Sequence, residues 1–348
     1  MSYQPPYTLT PSIITLIADI SEKLGALSVL QSTEETLRLR RINRIRTIQG
    51  SLAIEGNTLT ETQITAVLAG KPVIAPPKEI QEVRNALQAY EKLNNWQAHK
   101  QDDLLNAHQL LMQGLIDDAG HYRQSGVGVM QGQAVIHMAP PAQRVAGLMQ
   151  DLLHWLKHSK EHPLIRSCVF HYEFEFIHPF ADGNGRMGRL WQTLILSQWK
   201  PIFTDLPVES LVYAHQADYY QALQNSTEQS DSAPFIEFML RRILESCLAT
   251  SEQKNDHVSD RVSDQVNALL KGLNHQTAMT ASELMTQLGL KHRPTFRKNY
   301  LTPALQNNWI EMTQPDRPKS PTQKYRLTDR GLVLIKNLAH KHKQTSKP

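Results

Sequence analysis

Residues 178–189 hold the densest group of side chains in this 348-residue chain that could act on a phosphate. The segment reads His178-Pro-Phe180-Ala-Asp182-Gly-Asn184-Gly185-Arg186-Met-Gly-Arg189. Its glycine-rich centre lies between two helical patterns, which predicts that the second helix begins near Gly185. Backbone N–H groups of such a loop at a helix N-terminus form a binding site for an anion.

The charged and polar side chains of this segment fit one kind of chemistry. Arg186 and Arg189 are three residues apart on the first helical turn, so both project near the anion. Asp182, at the mouth of the loop, can hold a Mg²⁺ ion that bridges phosphate oxygens. His178 is placed as a general base, and Phe180 is expected to fix the loop to the core. The pattern indicates attack on a nucleotide phosphate.

The elements that must position this loop are almost all helices. Helical periodicity predicts helices over 163–177 and 185–198 on either side of the loop. Strand-like text occurs at 126–130 and 133–137, joined by Gln131-Gly132, and predicts a short hairpin that Pro140-Pro141 closes. The first 255 residues are therefore expected to be mainly α, with one hairpin.

A basic helix near the N-terminus leads to a second polar motif. Apolar residues from Leu37 to Ile48 recur at helical spacing, and the helix is expected to run towards Gly50. A separate short turn, Ser51-Leu-Ala-Ile-Glu55, is expected to end at Gly56-Asn57, residue types that tolerate a left-handed helix terminus. Thr60 and Gln63 form a capping-box pattern for the next helix.

The last ninety residues have a different pattern and a different charge. Helices are predicted over 260–272, 280–288 and 295–307, followed by strands at 309–312 and 323–327, which is a winged-helix arrangement. Its recognition helix would carry basic and aromatic side chains, namely Arg293, Phe296, Arg297 and Lys298. Residues 257–348 hold 15 Lys and Arg against six Asp and Glu, a net charge of +9, whereas residues 1–256 carry −5. A basic unit on an acidic body suggests nucleic-acid binding or a solvated tail.

These patterns predict four parts of the chain: 1–100, a helical region with the motif at 51–57; 101–250, a catalytic core; 251–259, a polar linker; and 260–341, the winged helix.

No apolar run reaches the roughly 18–20 residues of a membrane helix. The N-terminus lacks the pattern of a signal peptide. With two cysteines, Cys168 and Cys247, in apolar helical text, we expect a cytoplasmic protein without disulfides.

Residues 178–189 match at every specified position the pattern HxFx(D/E)GNGRxxR of the Fic family, which this chain resembles. The resemblance extends over residues 35–340. Gly120-His-Tyr-Arg123 and the following hairpin resemble the family's flap, Ala217-Asp-Tyr219-Tyr220 its nucleotide-side helix, and the C-terminal text an appended winged helix. The implied fold is a helical core with a hairpin flap over the site.

The resemblance implies an adenylyltransferase that moves AMP from ATP to a Tyr, Thr or Ser hydroxyl of a target protein. His178 would be the base and Asp182 the Mg²⁺ ligand, while Arg186 and Arg189 would bind the β- and γ-phosphates. Asn184 and the loop amides would stabilise charge at the α-phosphate. The nucleotide-binding set is Gly183, Asn184, Gly185, Arg186, Met187, Gly188, Arg189 and Tyr220.

Ser51 to Gly56 matches the family's inhibitory pattern (S/T)xxxE(G/N). By this resemblance Glu55 pairs with Arg189, takes the partner of the γ-phosphate and misaligns ATP, so the enzyme is autoinhibited. The same carboxylate could orient a water for removal of AMP from a modified target.

Three alternatives remain open. The chain could be a DNA-binding regulator whose Fic core senses nucleotide. It could modify itself or form a homodimer, but no membrane partner is expected. His171, Glu175 and His178 also share one helical face, as in a metal site, although the sequence offers no fourth ligand.

Overall fold

A computed structural model of the chain describes residues 3–28, 34–126, 128–131, 134–260, 263–273, 278–318, 320–332, 334 and 335. It divides into two compact units, Met1–Leu248 and Ala249–Pro348. The helices of the first unit, with α11 extending beyond it, are α1 Pro11–Ser28, α2 Glu34–Ile54, α3 Glu61–Leu68, α4 Pro77–Glu91, α5 Gln101–Met112, α6 Ala142–His158, α7 Pro163–Ile177, α8 Asn184–Trp199, α9 Val208–Ala214, α10 Gln216–Gln229 and α11 Ala233–Asp260.

Helices α7 and α8 form the centre of the first unit. A six-residue loop, 178–183, joins them, and they pack against each other along their length. In α8 the residues from Arg186 to Ser197 are all buried, polar ones included. A helix buried on every side cannot move without disturbing the core. The loop is thus carried by two helices at the centre of the first unit's core.

Helix α2 corrects one expectation, because it does not end near Gly50 and residues 51–54 are not a separate turn. It runs unbroken to Ile54 and packs against α9. A Cβ atom at Gly50 would lie 2.6 Å from the Cα of Ser210. Gly50 therefore permits the close approach of α2 and α9 instead of ending α2. The actual end is Gly56, whose φ of 89° only glycine adopts readily.

The hairpin between α5 and α6 forms as predicted, shifted by one or two residues. Strand β1, Gly128–Gln131, pairs antiparallel with β2, Ala134–Met138, with a bulge between Val129 and Met130. The predicted turn residue Gly132 lies outside the described residues.

The second unit has the winged-helix order that the sequence predicts. Its elements are α12 Asp264–Gly272, β3 Met279–Thr280, α13 Ala281–Gln287, α14 Arg293–Phe296, a π-helical turn Arg297–Leu301, α15 Thr302–Gln306, β4 Ile310–Met312 and β5 Lys324–Leu327. The strands form an antiparallel sheet in the order β3-β5-β4. A separate apolar core includes Leu270, Phe296 and Trp309. The mainly α fold with a C-terminal winged helix is confirmed, although its predicted end at residue 341 lies outside the described residues.

Residues 251–259, the expected linker, lie within α11 and are helical. Their Glu, Gln and Lys residues favour helix even though the stretch is polar. No helix in the described ranges is long and apolar enough to cross a bilayer.

Candidate active site

His178 terminates α7 in the left-handed conformation, with φ 51° and ψ 62°. Gly183, with φ 84°, opens α8 on the other side of the loop. A histidine in this region of backbone space costs free energy, so surrounding contacts must hold it there. Its backbone N–H donates to the carbonyl of Phe174, 2.9 Å away, which closes the last turn of α7.

Arg123, to which sequence analysis gave no role, holds the His178 backbone. Its Nε donates to the His178 carbonyl at 2.7 Å, and its two Nη atoms donate to the carbonyls of Ser125, Pro140 and Ile177. The side chain is buried, with 1% exposed. Ser125 and Pro140 flank the hairpin, so one guanidinium ties both hairpin ends to the end of α7. Arg123 is therefore a positioning residue for His178 and the hairpin.

The Asn184 side chain pins the loop internally. Its Oδ1 accepts from the Phe180 N–H at 2.9 Å, and its Nδ2 donates to the Phe180 carbonyl at 2.8 Å. Both ends of the amide are thus engaged by backbone. The Asn184 side chain therefore sets the loop shape, and its expected role in stabilising phosphate charge stays a prediction.

His108 on α5 packs against the 178–183 loop, a role that the sequence did not predict. Its ring stacks on Phe180 with centroids 3.6 Å apart. Its Nδ1 accepts from the Gly120 N–H at 2.9 Å, so the neutral ring carries its proton on Nε2 and donates to the Asp182 carbonyl at 3.0 Å. Burial is the main cause that lowers the pKa of His108 to about 4.

This depressed pKa gives a pH dependence. Because folded His108 has a pKa of about 4 and a free histidine about 6.5, the unfolded chain takes up a proton between these values that the folded chain refuses. The free energy of unfolding therefore falls as pH drops from 6.5 towards 4, by up to about 3 kcal/mol from this group. Urea unfolding at pH 7 and pH 4.5 should show a smaller loss for His108→Gln than for the wild type; equal losses would contradict this.

Arg186 lies between two carboxylates. Its Nη1 is 3.3 Å from Glu82 Oε1 on α4, and its Nη2 is 3.0 Å from Asp182 Oδ1. The other oxygen of Glu82 accepts from Asn57 Nδ2 at 2.9 Å, so the residue that follows the 51–56 motif is connected to the loop. The buried Nε of Arg186 makes no hydrogen bond to any described residue. Sequence spacing carried no signal for Glu82, which is 104 residues away.

Arg189 is bound by the 51–56 motif. Its Nε donates to Ser51 Oγ at 3.1 Å, and one Nη donates to the Ser51 carbonyl at 3.0 Å and to Glu55 Oε1 at 2.6 Å. Burial opposes its charge, but the adjacent Glu55 more than offsets this and holds the pKa above its ordinary range. The predicted pairing of Glu55 with Arg189 is thus present in the structure.

The Glu55 carboxylate also lies over the first turn of α8. A Cβ atom placed on Gly185 would collide with Glu55 Oε1 and come within 3.0 Å of an Arg189 nitrogen. The carboxylate therefore lies beside Gly185, close to the helix N-terminus, where N–H groups and the helix dipole favour an anion. A bound phosphate would compete with Glu55 for this place.

Three other residues of the predicted nucleotide-binding set, Met187, Gly188 and Tyr220, are partly or fully buried by neighbouring side chains. Met187 is fully buried, and a Cβ on Gly188 would lie 2.6 Å from Glu175 Oε1, so both belong to the packing of α8. Tyr220 is half-buried. Burial and the nearby Glu55 carboxylate raise its pKa, and the hydrogen bond with Gln216 opposes this only in part.

The alternative metal site is not formed. His171 is fully buried, and its ring contacts Gln192 Oε1 at 2.6 Å and the Tyr219 hydroxyl at 3.2 Å. Its Nε2 lies 3.6 Å from Glu175 Oε1. Within the described ranges, no three His, Cys, Asp or Glu side chains are grouped to hold a metal.

A Mg²⁺ ion that arrives with a nucleotide has a different requirement, because it uses one or two carboxylates together with phosphate oxygens and water. Asp182 fits it. Its side chain is 48% exposed, Oδ1 is engaged by Arg186 and the Gly183 N–H, and Oδ2 makes no hydrogen bond to a described residue.

Comparison with known proteins places these features in a family. Residues 98–196 match the model of the Fic/DOC family, and residues 264–328 match the C-terminal domain of filamentation induced by cAMP protein Fic-like. A crystal structure of a Fic family protein from Desulfovibrio desulfuricans G20 is 55% identical, covers 94% of this chain and 99% of its own, and superposes with a TM-score of 0.70. Fic-1 (residues 134–508) from Caenorhabditis elegans, 24% identical over 70% of this chain and 73% of its own, shares the fold with a TM-score of 0.59.

Curated relatives carry the name protein adenylyltransferase Fic. The protein from Nematostella vectensis is 30% identical over 220 residues, which are 59% of this chain and 48% of the relative. That from Drosophila virilis is 30% identical over 236 residues, 64% of this chain and 46% of the relative. The chain thus spans about half the length of the curated relatives it matches. Because it covers nearly all of the 55%-identical Desulfovibrio protein, the chain belongs to the Fic family.

Proposed function

We propose that the protein is an adenylyltransferase that moves AMP from ATP to a Tyr, Thr or Ser hydroxyl of a target protein and releases pyrophosphate. The observation that carries this proposal is the loop at the start of α8, which gathers His178, Asp182, Arg186 and Arg189 around one helix N-terminus. The buried Nε of Arg186, which has no hydrogen-bond partner among the described residues, further supports an anionic ligand. The names of the curated relatives agree with this activity.

The chemistry needs a base, a bound polyphosphate and an aligned hydroxyl. His178 would take the proton as the target oxygen attacks the α-phosphorus and the bond to pyrophosphate breaks. Loop amides from Gly183 onward would bind the α-phosphate, while Arg186 and Arg189 would hold the β- and γ-phosphates. A Mg²⁺ ion held by Asp182 would neutralise phosphate charge.

The hairpin is the proposed support for the target segment. An extended stretch of the target could add to a strand by backbone hydrogen bonds, which read little side-chain identity. Arg123 fixes the hairpin ends relative to His178, so the target backbone and the base keep a constant relation.

We propose that the conformation described above is an inactive one, because both arginines that would bind phosphate have carboxylate partners. Glu55 pairs with Arg189 and covers Gly185, and Glu82 pairs with Arg186. Without a contact between its γ-phosphate and Arg189, bound ATP would have a misaligned α-phosphate. Alignment supplies much of the rate in phosphoryl transfer.

A second activity at the same site is removal of AMP. Only Oε1 of Glu55 is bound by Arg189, and among the described residues Oε2 has no hydrogen-bond partner. This free oxygen could orient a water towards the α-phosphate of a modified target. A Glu55→Gly variant would then fail to release AMP from such a target.

We further propose a cytoplasmic location, since both Cys168 and Cys247 are free buried thiols. Self-modification and a homodimer stay predictions of the sequence.

The group that is transferred identifies the reaction. When the enzyme is incubated with lysate and Mg²⁺, target proteins should become labelled from ATP that carries the label on its α-phosphate. ATP labelled on its γ-phosphate should give no label. The Glu55→Gly variant should be used, because the wild type is expected to be restrained. Label from the γ-phosphate alone would identify a kinase and contradict the proposal.

A further inference from the structure

The helix that spans Arg293 to Gln306 presents a basic surface that the proposed transfer reaction does not use. We propose that it binds duplex DNA, with Arg293, Arg297 and Lys298 entering the major groove. This inference concerns the second unit and does not rest on adenylyltransferase activity.

The arrangement of elements supports insertion of this helix. Helix α13 is followed by a short turn at Gly289, whose φ is 67°, and then by α14, which is a helix-turn-helix. In this motif the second helix lies in the major groove and its N-terminal residues reach the bases. The three basic residues lie in the N-terminal half of that helix. The β4–β5 loop forms the wing and carries the exposed Arg317, and the exposed Lys324 follows it as the first residue of β5.

The charges of these residues are not neutralised within the protein. The side chains of Arg293, Arg297 and Lys298 are exposed, and none makes a hydrogen bond or ion pair with a described residue. By contrast, Arg326 on β5 is paired with Glu311 at 2.5 Å. A group of cations that makes no ion pair with the described residues is the arrangement that phosphate neutralisation requires.

The helix also departs from α geometry within the basic segment. The N–H of Thr302 donates to the Arg297 carbonyl, five residues earlier, so residues 297–301 form a π-helical turn. Pro303 explains it, since proline has no N–H for the carbonyl of Asn299 and its ring crowds that carbonyl. Such turns recur at functional sites, and here the wide turn begins at Arg297.

The distribution of apolar side chains favours nucleic acid over a protein partner. Phe296 and Leu301 of this helix are buried in the unit's own core. The exposed large apolar side chains of the described chain all lie in the first unit: Leu9, Ile14, Ile74, Tyr213 and Leu248. Protein interfaces are built around an apolar centre, which this surface lacks.

The test measures binding of the full-length protein to a labelled 24-base-pair duplex of mixed sequence by fluorescence anisotropy, from 50 to 200 mM KCl. We expect a linear fall of log K with log salt, and a slope reduced by about 1 for each basic residue removed. The triple variant Arg293→Gln/Arg297→Gln/Lys298→Gln should bind at least about tenfold more weakly at 50 mM salt.

A matched triple variant, Lys71→Gln/Lys92→Gln/Lys100→Gln, removes the same charge from exposed positions of the first unit and should bind like the wild type. Circular dichroism would establish that both variants are folded. The proposal is overturned if the wild type does not bind at 50 mM salt, if both triple variants lose affinity equally, or if a single strand competes as well as duplex. A wild-type dimer that the recognition-helix variant disrupts, without duplex binding by either, would make this surface a protein interface and also overturn it.

Discussion

Replacing Glu55 by glycine is expected to raise the initial rate of AMP incorporation by about 10–100-fold, since small misplacements of reacting atoms have costs of this order. Glu55 supplies the 2.6 Å contact to Arg189 and covers the first turn of α8. Without it Arg189, still positioned by Ser51, is available to the γ-phosphate. The measurement is the initial rate of incorporation from α-labelled ATP with lysate proteins as targets.

Two further variants make this result specific. Glu55→Gln keeps the size of the side chain and loses its charge, so its rate should lie between the wild type and Glu55→Gly. Glu61→Gln removes an exposed carboxylate whose partner, Arg46, lies 3.5 Å away, and should leave the rate unchanged. A folded Glu55→Gly protein with an unchanged or lower rate would exclude Glu55 as the inhibitory group.

The second large effect concerns His178. Substitution by alanine should lower transfer by about 10²–10⁴-fold, the usual contribution of a general base. The fold should survive, because Phe174 and Arg123, at 2.9 and 2.7 Å, bind backbone atoms of residue 178 that alanine retains. Binding of ATP should also persist, since the phosphates are held by other residues.

The left-handed backbone of His178 calls for a second variant. Asparagine tolerates this conformation better than alanine and cannot act as a base, so His178→Asn should be equally inactive and at least as stable. Comparing thermal unfolding of both variants separates loss of chemistry from loss of structure. Full transfer activity in either folded variant would contradict the assignment of the base.

The sequence was informative wherever the determinants are local. The motif, the hairpin and the winged helix could be read from spacing, and α7 was predicted with its observed bounds. Gly50 was misjudged because its small size serves a contact with α9, 160 residues away, and not a helix terminus. The part that Asn184 plays in shaping the loop was missed for a similar reason, since only the folded loop shows that both ends of its amide bind Phe180.

Residues that position the site were harder to foresee. Arg123, His108 and Glu82 lie 55 to 104 residues from their partners in the loop, and each acts by contacts that no sequence periodicity reports. Arg123 donates only to backbone carbonyls, and because every residue has one, the sequence does not mark its partners. Such roles follow from tertiary packing around the α7–α8 pair, and the motif alone does not contain them.

The central claim is that the protein transfers AMP, with His178 as the general base, once Glu55 no longer restrains Arg189. It is tested most directly by incubating wild type, Glu55→Gly and Glu55→Gly/His178→Ala with α-labelled ATP, Mg²⁺ and lysate, and measuring label on protein. We expect little label with the wild type, strong label with Glu55→Gly and background label with the double variant. Label of equal strength with the double variant and with Glu55→Gly would contradict the account.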